Sequence, residues 1–173
     1  MRIQIVGHNG KGRGSRVITR LTRGDYSHGS VRILDIPIAI RHAAFTRYGY
    51  EITEDHEVES IQFKGVHHQP FKPSNNQTWF NFPHNEDDAE AIFWWLLSKV
   101  GCGYDWSGIG GFVTRRDWED PDKYFCSELA ADALLVRDIR LQWLPSYKLS
   151  PTFMCASPTL WVAPDSPIKP KGR

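Results

Sequence analysis

Apolar residues alternate with polar ones in the first half of the chain and recur at three- to four-residue spacing in the second. Residues 3–6 (Ile-Gln-Ile-Val) read as a short strand, followed by a loop containing Gly7, Gly10, Gly12 and Gly14. Ser15 is then placed to cap a short helix over 16–22, with Val17, Ile18 and Leu21 as its apolar face. Residues 27–34 predict a strand in which Val31 and Ile33 alternate with Ser30 and Arg32. The stretch 36–44 fits a strand or a helix equally well. Residues 57–62 and 63–68 fit two strands or one bent strand, and 78–82 a further strand ended by Pro83.

Helical spacing is clearest after Asn85. That residue is a good N-cap, and Glu86, Asp87 and Asp88 sit in the first turn, where the helix dipole favours acidic groups. Ile92, Phe93, Leu96, Leu97 and Val100 form the apolar stripe, and Gly101 ends it. A second helix is predicted over 126–136 after a glycine-rich, charged connection, and Ser150-Pro151 marks the start of a short one. Strands come before helices and are joined by short connections. This order predicts an α+β fold built on an antiparallel sheet, not a doubly wound one. One domain over 1–163 is expected, with 164–173, rich in proline and lysine, as a loose tail or surface strap.

Composition narrows the function classes. Hydrophobic residues make up 40% of the 173 and charged residues 24%, the mix of a soluble globular protein. The net charge of +1 gives no nucleic-acid signature. No run of apolar residues is long enough for a signal peptide or a membrane span, so synthesis in the cytoplasm is expected, with the final location left open. Three cysteines, Cys102, Cys126 and Cys155, are too few for a disulfide framework, and each becomes a question of packing or chemistry.

Cys126 stands apart because it opens a predicted helix, where unpaired N–H groups and the dipole stabilise a thiolate. Leu129, Ala130, Ala133 and Leu134 share its helical face, which directs the sulfur toward the sheet. A nucleophilic thiolate needs a base, and His28 at the start of a predicted strand is a candidate. Glu59 on a neighbouring strand can accept the other imidazole N–H and fix its tautomer. Glu57 lies on the same strand face two residues away and is the alternative for that role.

Four segments appear in a telling order: Tyr26-Ser27-His28, the stretch from Glu59 to Val66, Gly103-Tyr104-Asp105-Trp106-Ser107-Gly108 and Phe125-Cys126-Ser127-Glu128-Leu129. In these the chain resembles the circularly permuted NlpC-like papain-fold hydrolases of the YiiX/YebB type, in which the His strand precedes the Cys helix. The resemblance implies a sheet or partial barrel packed against the helix of the nucleophile. It implies Cys126 as nucleophile, His28 as base and Glu59 as the polar orienter, with Tyr104 and Tyr26 on the substrate side. It departs from the usual pattern at Gly29, where a β-branched residue is commoner. The reaction implied is cysteine-dependent cleavage of an amide in a peptide or peptidoglycan-type substrate, with no cofactor and no metal. Two rivals remain: an acyltransferase or thioesterase acting on lipids or small conjugates, and a silent binding or inhibitory protein on the same fold.

Other features point to nothing sharper. His67 and His68 are adjacent on a strand, point to opposite faces and so do not share an ion. His8, His42, His56 and His84 lack ligand spacing. The early glycines do not have the Walker spacing, and Lys11 is followed by Gly12 where that loop needs Ser or Thr. Trp94, Trp95 and Trp106 are expected in the core or a cleft wall. Charge is uneven: the first 24 residues are basic without an acid, whereas 51–59 holds five acids, a solvated asymmetry or a means of binding an anionic substrate.

Overall fold

The computed structural model describes residues 1–10, 12–105, 120 and 122–168, the side chains of 13, 14 and 21 excepted. In chain order the elements are β1 (Arg2–His8), α1 (Arg13–Thr22), β2 (His28–Leu34), α2 (Ile38–Tyr48), β3 (His56–Ile61), β4 (Gly65–Pro70), β5 (Gln77–Asn81) and α3 (Glu86–Lys99). There follow β6 (Gly103–Tyr104), β7 (Lys123–Tyr124), α4 (Cys126–Leu135), a 3-10 turn (Ser146–Lys148), α5 (Pro151–Cys155) and β8 (Trp161–Val162). Six strands form one antiparallel sheet in the order β4-β3-β2-β1-β5-β8. β6 and β7 form a small parallel pair. The fold is α+β, as the order of strands and helices predicts.

One face of the sheet carries Ile3, Ile5, Val31, Ile33, Val58 and Phe80, buried against Ile92, Phe93, Leu96 of α3 and Leu129, Ala130, Ala133 of α4. This is the main core, and it presses the helix of Cys126 onto β2 and β3. Asn85 caps α3 by accepting from Asp88 N, and Asp88 returns a carboxylate to Asn85 N, so the predicted first turn is a full capping box. Trp94 and Trp95 pack at the edge of this core, Trp95 edge-on to Tyr124.

One boundary differs from the sequence expectation, and three readings left open there take one of their two forms. α1 begins at Arg13 with Gly12 at its cap, not with Ser15, because the Gly12 carbonyl already accepts from Arg16 N at 3.0 Å. The ambiguous stretch after Ile36 is helical: Pro37 lacks the N–H a strand needs, and three alanines follow it in α2. Residues 57–68 form two strands, separated by a turn in which Phe63 has φ +69°. Residues 164–168 are a strap and not a loose tail, since Trp79 N donates to the Ser166 hydroxyl at 2.9 Å and Ala163 N to Trp79 O. Residues 169–173 lie outside the described residues.

Gly65 opens β4 at φ +71°, and a Cβ there would come within 2.1 Å of the Cys102 carbonyl oxygen. Val66 N also donates to that oxygen at 2.8 Å, so the backbone cannot withdraw without losing the bond. Gly65→Ala is expected to destabilise the fold by about 2 kcal/mol or more, measured by urea unfolding. Gly49→Ala, also at positive φ but with open space around it, should cost only about 1 kcal/mol.

Candidate active site

The second face of the sheet is unusual in being polar and buried. Residues paired across antiparallel strands lie on the same face, so the register produces three rows. The first row is Gln69, Glu57, Arg32 and Gln4; the second is His67, Glu59, Ser30 and Val6; the third is His28 beside His8. Arg32 is sandwiched by Phe71 and Trp79 at 4.0 and 4.4 Å and bonded to both carboxylate oxygens of Asp55. That end of the face is closed by packing. The other end, at His28, borders a cleft.

His28 is the first residue of β2, and its Nε2 lies 2.5 Å from Glu59 Oε2. Cys126 is near enough for its side chain to act on the same imidazole. With Nε2 taken by Glu59, Nδ1 is the ring nitrogen left for another partner. Of the two candidate carboxylates, Glu59 is therefore the one that reaches His28. Glu57 accepts from the Ser30 hydroxyl and lies 3.5 Å from His8 Nε2. Gln69 links the two acids, donating to Glu59 Oε1 at 2.8 Å and to Glu57 Oε2 at 3.4 Å. His67 Nε2 adds a contact of 3.3 Å to Glu59 Oε1.

Cys126 is the first residue of α4 and 2% exposed, clustered with Tyr104 and Phe125. Glu128 accepts from Phe125 N at 3.0 Å and so completes the start of the helix. Burial disfavours charge on His28, but the Cys126 charge, its hydrogen bond and Glu59 outweigh burial and push His28 up to about 10. Burial would likewise raise the Glu59 carboxyl. Hydrogen bonds and charge from His28 and His67 reverse this and hold it well below the usual carboxylate range. Together these two directions describe an imidazolium paired with the Glu59 carboxylate, beside Cys126. Cys155 is different: burial first, and then the charge of Cys126, push its thiol upward, which makes it an inert core residue.

A cleft of about 430 Å³ opens at His28, lined by Gly12, Ser15, Ile18, Ser27, Gln62, Phe63 and Tyr104. The glycine-rich loop thus reaches the cleft wall through Gly12. Burial, and then the charge of Cys126, raise the Tyr104 phenol well above its ordinary value, so it stays neutral beside the sulfur. Tyr26 is placed elsewhere. Its ring meets Phe80 edge-on at 5.9 Å, on the core side of the sheet. Trp106 and Gly108, which belong to the same sequence motif as Tyr104, lie outside the described residues. A larger groove of about 520 Å³ runs along α2, remote from Cys126, His28 and Glu59 in its lining.

The sequence reading did not single out His8, Ser30, His67 or Gln69 as members of this network. Their signal was present as polar alternation: His28, Ser30 and Arg32 on one strand and Glu57 and Glu59 on the next mark a face that is not apolar. His67 and His68 do point apart, His67 to Glu59 and His68 to His56 Nε2 at 2.9 Å. Among the described residues, no group of three or more His, Cys, Asp or Glu side chains is arranged to hold a metal, and no helix is long and apolar enough to cross a membrane. Compared with protein-family models and with curated protein sequences, the chain matches none.

Proposed function

We propose that the chain is a cysteine hydrolase that cleaves an amide bond through a thioacyl-enzyme intermediate, on a permuted papain-like fold. The observation that carries this reading is a single imidazole, His28, held between Cys126 at a helix start and the buried carboxylate of Glu59. The packing of α4 on β2 and β3 agrees with the resemblance drawn from the sequence.

The chemistry follows from the geometry. The Cys126 thiolate adds to the carbonyl carbon, forming a C–S bond and moving the carbonyl electron pair onto oxygen. The N–H groups in the first turn of a helix have no intrahelical partners, so that of Cys126 can donate to this oxyanion. Protonated His28 gives its proton to the leaving amine as the C–N bond breaks. Neutral His28 then takes a proton from water, the hydroxide attacks the thioester, and acid and thiolate separate. Glu59 keeps the imidazole in one orientation and stabilises its charge throughout. The cleft lined by His28 and Tyr104 is the approach we assign to the acyl group. Peptide or peptidoglycan-type amides are the substrate class we assign.

The test is to incubate the protein with peptides, peptidoglycan fragments and acyl lipids and to search for an acyl adduct on Cys126 by mass spectrometry. An adduct from a peptide-type substrate, absent in Cys126→Ala, is expected. An adduct formed only from lipids favours an acyltransferase. No adduct, with a function that survives Cys126→Ala, favours a binding protein.

A further inference from the structure

Successive residues of a strand face opposite ways. In β3, Glu59 turns to the polar face and binds His28, while Ser60 turns to the helix side and is fully buried. The Ser60 hydroxyl donates to the Tyr124 carbonyl at 2.7 Å. Tyr124 stands two residues before Cys126, at the end of β7. Between them, Phe125 is fixed at both ends, its N–H on Glu128 and its carbonyl on Leu129 N at 2.9 Å. The backbone from Tyr124 into α4 is therefore a short, stiff arm, and Ser60 holds its base.

We infer that Ser60 is a positioning residue that sets the separation between the nucleophile and its base, an inference that rests on the acyl-transfer reading above. Adjacent residues of one strand hold the two halves of the pair: Glu59 the imidazole, Ser60 the arm that carries the sulfur. β3 is paired on both sides, to β2 through Glu59 and Ser30 and to β4 through Ser60 and Val66. It therefore acts as a rigid ruler between them. Removing the hydroxyl does not orphan the Tyr124 carbonyl, which also accepts from Asp105 N at 3.2 Å. The consequence falls on the distance from sulfur to imidazole more than on folding, and an ion pair weakens as that distance grows.

The experiment compares iodoacetamide alkylation of Cys126, read by mass spectrometry of its peptide, in wild type, Ser60→Ala, Ser60→Thr and Ser157→Ala. Ser157 is a buried control whose hydroxyl also donates to a backbone carbonyl, that of Leu141. At pH 6, Ser60→Ala should react about tenfold more slowly than wild type, the equivalent of one ordinary hydrogen bond. At pH 9.5 the two should agree within about twofold, because there a thiolate forms without help from histidine. Ser60→Thr, which keeps the hydroxyl, should restore the pH 6 rate, and Ser157→Ala should not change it. Equal pH 6 rates in wild type and Ser60→Ala, or an equal loss in Ser157→Ala, overturn the inference. If Ser60→Ala does not fold by circular dichroism, the near-isosteric pair Ser60→Thr and Ser60→Val replaces it, with the same tenfold difference expected and equal rates overturning it. Failure of the acyl-transfer reading is separate: wild-type alkylation at pH 6 would then be unaffected by His28→Ala.

Discussion

His28→Ala is expected to slow alkylation of Cys126 about a hundredfold at pH 6 while leaving the rate at pH 9.5 within about threefold of wild type. An ordinary thiol is less than about 1% ionised at pH 6, so a cysteine that reacts fast there owes its thiolate to a neighbouring cation. Here that cation is the His28 imidazolium, which the Cys126 charge and Glu59 hold up to about 10 against the opposing effect of burial. The wild-type profile should therefore be nearly flat from pH 6 to 9.5, and the alanine variant should rise steeply. Cys102 and Cys155 serve as internal references on their own peptides, and neither should respond to the substitution. Coincident profiles for the two proteins would dissolve the pair and, with it, the hydrolase reading.

Much of the framework was legible from local rules. The capping box at Asn85, the strand at residues 3–6 and the helix opening at Cys126 are each set by neighbours within a few positions. The order His28, Glu59, Cys126 could be placed on separate elements for the same reason. Glu57 and Glu59 could not be told apart, because strand alternation puts both on one face. What separates them is cross-strand register: Ser30 stands opposite Glu59 and its hydroxyl reaches diagonally to Glu57, leaving Glu59 for His28. His8 was hidden likewise, since only the pairing of β1 with β2 sets it against His28, ring centroids 5.0 Å apart. Tyr26 shows the opposite limit. Its place next to Ser27 and His28 in sequence suggested the site, yet its ring packs with Phe80 in the core. For 164–173 a loose tail and a surface strap read alike in sequence, and Ser166 decides for the strap only because a specific partner, Trp79 N, is brought to it.

Glu59→Gln keeps the shape of the side chain and removes its charge, so its effects isolate the electrostatic part of the site. The carboxylate is 7% exposed and receives His28, His67 and Gln69, and the amide variant must meet these donors with one acceptor oxygen and no charge. The pH dependence has two limbs. Glu59 is held below its ordinary 4.5, so its contribution to stability is complete above about 4.5 and is lost as the pH falls through its lowered value. His28 is raised from 6.5 to about 10, so its contribution is complete below about 6.5 and is lost as the pH rises through about 10. The difference in unfolding free energy between wild type and Glu59→Gln should thus be widest between pH 4.5 and 6.5. A buried charge pair with one partner neutralised suggests about 2–4 kcal/mol there. It should narrow toward pH 3, where the carboxyl of the unfolded chain has taken up a proton while the folded one has not, and again toward pH 10.5, where the imidazolium has lost its own. Urea unfolding of both proteins at pH 3, 5.5, 8 and 10.5 measures it. A difference that stays constant across the four would mean that Glu59 acts by packing alone, and that His28 carries no charge for it to stabilise.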